Sequence, residues 1–337
     1  MKKEFCAGID IGGTKISSAL FTREGGLFGK ARIAIDGEGG DKAASQVKEI
    51  IGRLEDLAAA EGGRLRSAAL CVPGIVYSKT GTVWAPNIPG WDHYPLRSRI
   101  MAGQPASEKN GLRGNDVPVF LESDRSAYIL GEHWLGAARG TRDAVFLAVG
   151  TGIGAGILSG GRLVRGAEDI AGAVGWFALN PDFRPEYAAM GCFEAEASGN
   201  SIGRKAVRLL ETGHESFVGE LAGGDPLKVT AELVAEAARQ GDAGARSLLT
   251  EAVSYLAMGI ANIVSILNPE IVVLGGGLFR AGDLLLDPVR KEFKRWAQPL
   301  AAGRVRIELS KLGEDAGLYG CGKLAWDNFK GGQSCRP

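Results

Sequence analysis

Histidine is scarce in this chain: three in 337 residues, His93, His133 and His214. They form no cluster; His93, in the segment WDHYP, reads as a surface residue, and the other two carry no assigned role. Cysteine is nearly as rare, at Cys6, Cys71, Cys192, Cys321 and Cys335. The number is odd, the spacing wide and CxxC absent, which excludes a disulfide framework or a metal knuckle and suits reduced thiols in the cytoplasm. Net charge is also missing, with 39 basic and 39 acidic side chains. A balanced chain offers no broad attraction to nucleic acid or to an anionic membrane. No stretch approaches the roughly 18 uninterrupted apolar residues that span a bilayer. The N-terminus MKKEFCAGIDIGGTK lacks the apolar core and small-residue site of a signal peptide.

What the chain has in excess is glycine. Fifty-one of 337 residues is about 15%, against a usual share of roughly 7%. Proline stays at 13 and no G-X-Y period occurs, so collagen is excluded. In a packed protein so much glycine suggests backbone pressed against backbone or ligand. The length suits two domains.

Two segments look alike: residues 5–21 (FCAGIDIGGTKISSALF) and 144–158 (AVFLAVGTGIGAGIL). Each runs apolar strand, polar-glycine turn, apolar strand, which predicts one hairpin unit used twice. Helical spacing of Val47, Ile50, Ile51, Leu54 and Leu57 predicts a helix over Ala43–Ala60. Ala68–Val76 and Val117–Leu121 read as strands and Ser126–Leu135 as an amphipathic helix. In the second half, helices are expected at Ala195–Leu210, Val229–Arg239 and Ala243–Leu267, the last in the middle of a domain. Ile271–Leu274 reads as a strand and Asp315–Trp326 as a final helix. Residues 102–116 read as a surface loop and the tail after Asn328 as frayed. Alternating strands and helices predict an α/β protein whose sheets are made mixed by the hairpins. A Rossmann fold fits poorly, because neither glycine run is a G-x-G-x-x-G opening a helix.

The chemistry concentrates at the turns. In Asp10-Ile11-Gly12-Gly13-Thr14-Lys15, glycine lets backbone amides approach phosphate oxygens, Thr14 adds a hydroxyl, and Asp10 can hold Mg²⁺ or its waters. Lys15 could meet a phosphate or simply be solvated. Gly150-Thr151-Gly152-Ile153-Gly154 repeats these materials, and Gly275-Gly276-Gly277, after a strand, offers a surface for a flat base. Asp124 stands in LESDR at a strand-to-helix junction. It is either a helix cap or a general base that takes a proton from an attacking hydroxyl.

From Gly8 to about Trp326 these motifs resemble the ROK family of sugar kinases, within the hexokinase–actin-like ATPase class. Asp10–Lys15 and Gly150–Gly156 match its two phosphate motifs and Gly275–Leu278 its adenosine-side motif. Val72-Pro73-Gly74 and Ala85–Trp91, with Asn87, resemble its sugar-side loops, and Asp124 occupies the place of its base. The resemblance implies a two-lobed actin-like ATPase (ribonuclease H-like) fold, with duplicated mixed-sheet domains and a cleft between them. The expected lobes are 1–123, completed by a helix at about 315–328, and 124–314. It further implies ATP with Mg²⁺, transfer to a hydroxyl of a sugar or sugar-like polyol, and a homodimer. Some members are repressors with an N-terminal helix-turn-helix; the phosphate motif at residue 10 is expected to leave no room for one.

The departures from the family pattern lie on the acceptor side. Ser123 stands where asparagine usually precedes the base. The glycine-glutamate-x-glycine-histidine segment reads Gly172-Ala173-Val174-Gly175-Trp176. Of the CxCGxxGC knuckle only Cys192 remains, so no structural zinc is expected. Gly74, Asn87, Ser123, Asp124, Trp176 and Glu194 are the acceptor-side candidates. Trp176 either reshapes the pocket or fills the space of the lost knuckle. The alternatives within this reading are a cyclitol or modified-sugar kinase and an idle sugar-binding or regulatory protein of kinase descent.

Overall fold

The structure, a computed structural model, describes residues 3–102 and 117–329. Most of the loop expected at 102–116, the end of the tail and Cys335 lie outside the described residues. Contacts divide the chain into two units. The first comprises Met1–Arg139, Arg165–Ile170 and Glu314–Pro337; the second comprises Gly140–Val164 and Ala171–Gly313. The division therefore falls after Arg139, where the sequence places it after residue 123. The helix carrying Asp124 packs against the C-terminal helix of the first unit.

In the first unit, β1 (Lys3–Ile11) and β2 (Lys15–Phe21) form the expected hairpin and β3 (Leu27–Ala34) extends it. β4 (Gly63–Val72) and β7 (Val119–Ser123) then join in parallel, giving the order β3-β2-β1-β4-β7. The strand expected over 68–76 stops at Val72. Pro73-Gly74 separates it from a small arm, β5 (Ile75–Tyr77) and β6 (Thr82–Trp84).

The pleat sorts β1 by alternation. Phe5, Ala7, Ile9 and Ile11 join the core containing Val47, Ile50, Ile51 and Leu54 of α1 (Gly40–Ala60). Gly8 and Asp10 point the other way, toward α12 (Ala316–Asn328), which packs on α3 (Asp124–Leu135). A short α2 (Leu96–Met101) lies against α1. The α3–α12 crossing is made by glycine. A Cβ on Gly320 would come 1.8 Å from the Ala127 carbonyl oxygen, and one on Gly131 would come 2.3 Å from that of Ala316.

The second unit repeats the plan. β8 (Ala144–Val149), β9 (Ile153–Ser159) and β10 (Arg162–Leu163) run antiparallel, and β11 (Ile271–Gly275) and β12 (Arg306–Leu309) are parallel to β8. The order β10-β9-β8-β11-β12 matches that of the first sheet strand for strand. Its helices are α4 (Tyr187–Met190), α5 (Cys192–Ala197), α6 (Gly199–Glu211), α7 (Phe217–Leu221), α8 (Ala231–Arg239), α9 (Ala243–Leu267), α10 (Gly282–Trp296) and α11 (Pro299–Ala302). α9 is long and apolar enough to cross a membrane, yet 56% of its apolar window is buried. Leu256, Ile260 and Val264 sit in the unit's main core. The single helix expected over 195–210 is two. Ser198 is extended and its Oγ accepts the Ser201 N–H, so it ends α5 and caps α6.

Candidate active site

The C-terminal ends of β1, β4 and β7 bring three sequence-distant groups together. Asp10, near the end of β1, is the register partner of Cys71 on β4, whose thiol donates to Asp10 Oδ1 at 3.1 Å. β7 ends at Ser123, which caps α3: its Oγ accepts the Ser126 N–H. The cap is thus Ser123, and Asp124 is the first helical residue, its carboxylate left for other work. Asp124 Oδ1 accepts the Arg125 N–H at 2.8 Å, and the Tyr128 hydroxyl, one turn on, donates to Oδ2 at 3.4 Å. Gly317 of α12 makes room for this group. A Cβ there would lie 2.8 Å from Asp10 Oδ2 and 3.0 Å from the Tyr128 ring.

Burial dominates the electrostatics here. It lifts Asp124 from 3.8 to about 6, against the Arg125 charge and backbone N–H, with the Asp10 charge adding to the rise. Asp10 is raised by burial too, opposed by the Cys71 hydrogen bond and the charge of Arg32. Tyr128 is pushed well up by burial and by the two carboxylates, which keeps its proton on the phenol. Cys71 and Tyr128 were absent from the sequence candidates. Neither belongs to a local motif, and only the parallel pairing of β1, β4 and β7 and the start of α3 bring them to the aspartates.

The first turn, residues 12–14, is exposed apart from Gly12. Gly12 donates its N–H to the Lys15 carbonyl at 2.8 Å, so that amide serves the turn itself. Thr14 and Lys15 are exposed beside it. Asn87 is exposed as well, and a Cβ on Gly13 would lie 3.4 Å from the Asn87 Cβ, so the sugar-side loop rests on the first turn. That loop is fixed from behind. Trp91 is 2% exposed, stacks on Tyr94 and donates its indole N–H to the Gly40 carbonyl at 3.2 Å. Gly74 opens the arm; a Cβ there would meet the Trp84 carbonyl oxygen at 2.0 Å. Two further ties on this unit hold residues 165–170: Arg165 pairs with the buried Glu122 at 2.6 Å, and Asp169 accepts from Ser78 N–H and Oγ. His93 is exposed and stacked on Tyr77.

In the second unit, Gly150, Thr151 and Gly152 form the turn of the second hairpin, with the Gly150 N–H donated to the Gly152 carbonyl at 2.9 Å. The N-terminus of α6 closes on it: the Gly199 N–H donates to the Gly150 carbonyl at 2.8 Å. Gly276 (φ 93°) passes so near β8 that a Cβ would meet the Val149 carbonyl oxygen at 2.4 Å. Gly277 lies beside Gly150, whose Cβ would be 3.7 Å from the Gly277 nitrogen. Gly154 and Gly275 are different. Both are buried strand positions, each paired with Ala148, and Gly275 leaves space for the Phe146 ring. Glu194 Oε2 accepts the Ile153 N–H at 2.7 Å and abuts Gly152. Burial raises its carboxyl, against that N–H and the Arg204 charge. Trp176 is 57% exposed, so its ring does not fill a core. Among the described residues no three His, Cys, Asp or Glu side chains are grouped to hold a metal ion.

The chain is similar to the glucokinase of Thermotoga maritima, 33% identical over 98% of this chain and all of that protein. It is 31% identical to a xylose repressor of Caldicellulosiruptor bescii, over 74% of this chain and 60% of that protein. Among solved structures, a ROK family glucokinase from Streptomyces griseus in complex with glucose and AMPPNP superposes with a TM-score of 0.77. The identity there is 30%, covering 96% of this chain and all of that one. These neighbours have the two-domain actin-like ATPase fold, which the repeated sheets of the two units share. The ROK family model matches residues 6–328, and the chain belongs to the ROK family.

Proposed function

We propose that the chain is an ATP-dependent kinase that phosphorylates a hydroxyl of a sugar or sugar-like polyol, with Asp124 as the general base. The observation that carries this reading is the state of Asp124. Lifted to about 6, it is ionised at neutral pH yet basic enough to take a proton, and it is held at two points. As the acceptor oxygen bonds to the terminal phosphorus and the bond to the bridging oxygen breaks, the hydroxyl proton passes to Asp124 and ADP leaves. The 12–15 turn and the 150–152 turn offer amides to phosphate oxygens, with Gly276 and Gly277 on the nucleotide side. Asn87 and Glu194 orient the acceptor. Asp10 fits Mg²⁺: it is a hard oxygen ligand whose burial disfavours its charge unless a cation is near. When bound, Mg²⁺ would neutralise charge on the phosphates.

A second reading, a cyclitol or modified sugar as acceptor, is favoured by Trp176. An exposed indole at 176, with Gly175 against Glu194, offers an apolar face rather than a hydrogen-bonding imidazole. The test is ADP release across hexoses, N-acetylhexosamines and cyclitols. Turnover with one class is expected; no ADP release with any acceptor would move the assignment to a binding protein. No zinc takes part in this proposal, and elemental analysis finding one tightly bound zinc per chain would contradict that.

A further inference from the structure

We infer that Glu196 and its ring of donors form a positioning device that sets the rotation of α5 and thereby holds Glu194 against the 150–152 turn. Its bearing on acceptor binding rests on the role proposed for Glu194; its structural part does not.

Glu196 is 1% exposed, and its carboxylate collects donors from three directions. Lys205 of α6 reaches Oε2 at 2.6 Å, Arg184 reaches Oε1 at 3.0 Å, and the Tyr187 hydroxyl of α4 also donates to Oε1. Lys205 further donates to the Glu196 carbonyl at 3.0 Å and to Glu251 of α9 at 2.9 Å. Asn180 donates to the Tyr187 oxygen at 3.0 Å. The knot thus joins residues 184–187, α5 and α6 at one carboxylate, and Lys205 extends it to Glu251 of α9. Two cations face two carboxylates, so the charges balance, as a buried group requires.

α5 needs such a tether. It has six residues, under two turns, and no side-chain hydrogen bond caps its start at Gly191. Phe193 anchors its depth against Gly259 of α9, its N–H donates to the Phe177 carbonyl at 3.2 Å and the Glu194 carbonyl accepts from Ser201 Oγ at 2.9 Å; Glu196 adds the side-chain hold on the face opposite Glu194. Glu194 and Glu196 are two residues apart, about 200° around the helix. One points to the turn and the other into the knot. Any rotation that loosens Glu196 therefore moves Glu194 from the Ile153 N–H.

The measurement is amide hydrogen exchange at Ile153, with kinetics as a second arm. In Glu196→Gln, which sets an amide NH₂ against Lys205, and in the milder Tyr187→Phe, exchange at Ile153 is expected to rise about tenfold or more. Exchange at Val145 and Leu147 of β8 should stay unchanged. The KM for the acceptor is expected to rise about tenfold while the KM for ATP stays within about twofold. Lys205→Met should behave like Glu196→Gln, and Lys205→Arg should restore most of the protection. Faster exchange confined to 184–190, with Ile153 as protected as in the parent, overturns the inference. So does an equal rise in both KM values. If the parent protein turns over no acceptor, the proposed function fails, and the exchange arm still decides the positioning role.

Discussion

Asp124→Asn is expected to lower kcat by about 10³-fold and, in the same protein, to raise the free energy of unfolding. The first effect is the loss of a base: an amide cannot take the hydroxyl proton, and a positioned base contributes roughly 10²–10⁴-fold. The second follows from burial, which lifts Asp124 from 3.8 to about 6. A carboxyl raised on folding binds its proton more tightly in the native state. Its stability contribution is therefore complete below about pH 4 and is lost as pH rises through about 6. A rise of about two units corresponds to about 3 kcal/mol, and solvent contact at this half-buried group reduces that to about 1–2 kcal/mol. The variant should thus be more stable at pH 7.5, and the gain should vanish near pH 4. Denaturant titration at the two pH values measures it. The parent kcat/KM should climb tenfold per pH unit below about 6 and level off above it. Unaltered turnover in the variant, or a stability gain that persists at pH 4, would remove Asp124 from the role of a buried base.

Gly320→Ala is expected to destabilise the first unit by about 3 kcal/mol, the upper part of the usual range for overpacking. The added methyl would sit 1.8 Å from the Ala127 carbonyl oxygen, an atom of the α3 backbone that cannot swing aside. α3 and α12 would have to separate, and α3 begins at Asp124, so turnover should fall together with stability. The control is Gly52→Ala. Gly52 lies within α1 and a Cβ there meets nothing within 4 Å. Replacing glycine by alanine in a helix with open space should stabilise by about 0.5–1 kcal/mol. Opposite signs at the two sites, read from unfolding midpoints, are the expected result. A loss below about 1 kcal/mol at Gly320 would show that the crossing can relax.

These two glycines illustrate how far composition reaches. The glycine excess points to backbone lying close to something without saying to what. Ten of the 51 fall within 8–13, 150–156 and 275–277, so ligand turns leave most of them unexplained. Much of the rest is helix and strand contact: Gly8 and Gly322 against α12 and Phe21, Gly131 and Gly320 at the α3–α12 crossing, Gly259 beneath Phe193. Even Gly275, inside a ligand-like run, makes room for Phe146.

Elements with strong local signals were legible. Both hairpins are where the strand–turn–strand pattern puts them, and α9 runs over the expected Ala243–Leu267. Three kinds of element were not. β3 is mostly exposed and has no apolar run. α10 carries Pro288 inside the helix, where it has no N–H to give the Leu284 carbonyl, and burial of Leu285, Val289 and Phe293 holds the helix across it. The segment 195–210 reads as one helix, and the extended backbone at Ser198 divides it.

By itself the sequence determined the turns, the repeated hairpin and the family, because these depend on neighbours within a few residues. It also singled out Asp10, Asn87, Asp124 and Glu194, which belong to short motifs. The tertiary structure decided what surrounds them. Cys71 reaches Asp10 through parallel strand pairing, Gly317 returns from the far end of the chain to make room for Asp10 and Tyr128, and Lys205 and Arg184 converge on Glu196. Burial sets the proton affinity of these carboxylates, and burial is a property of chain segments far apart in sequence that only folding brings into contact.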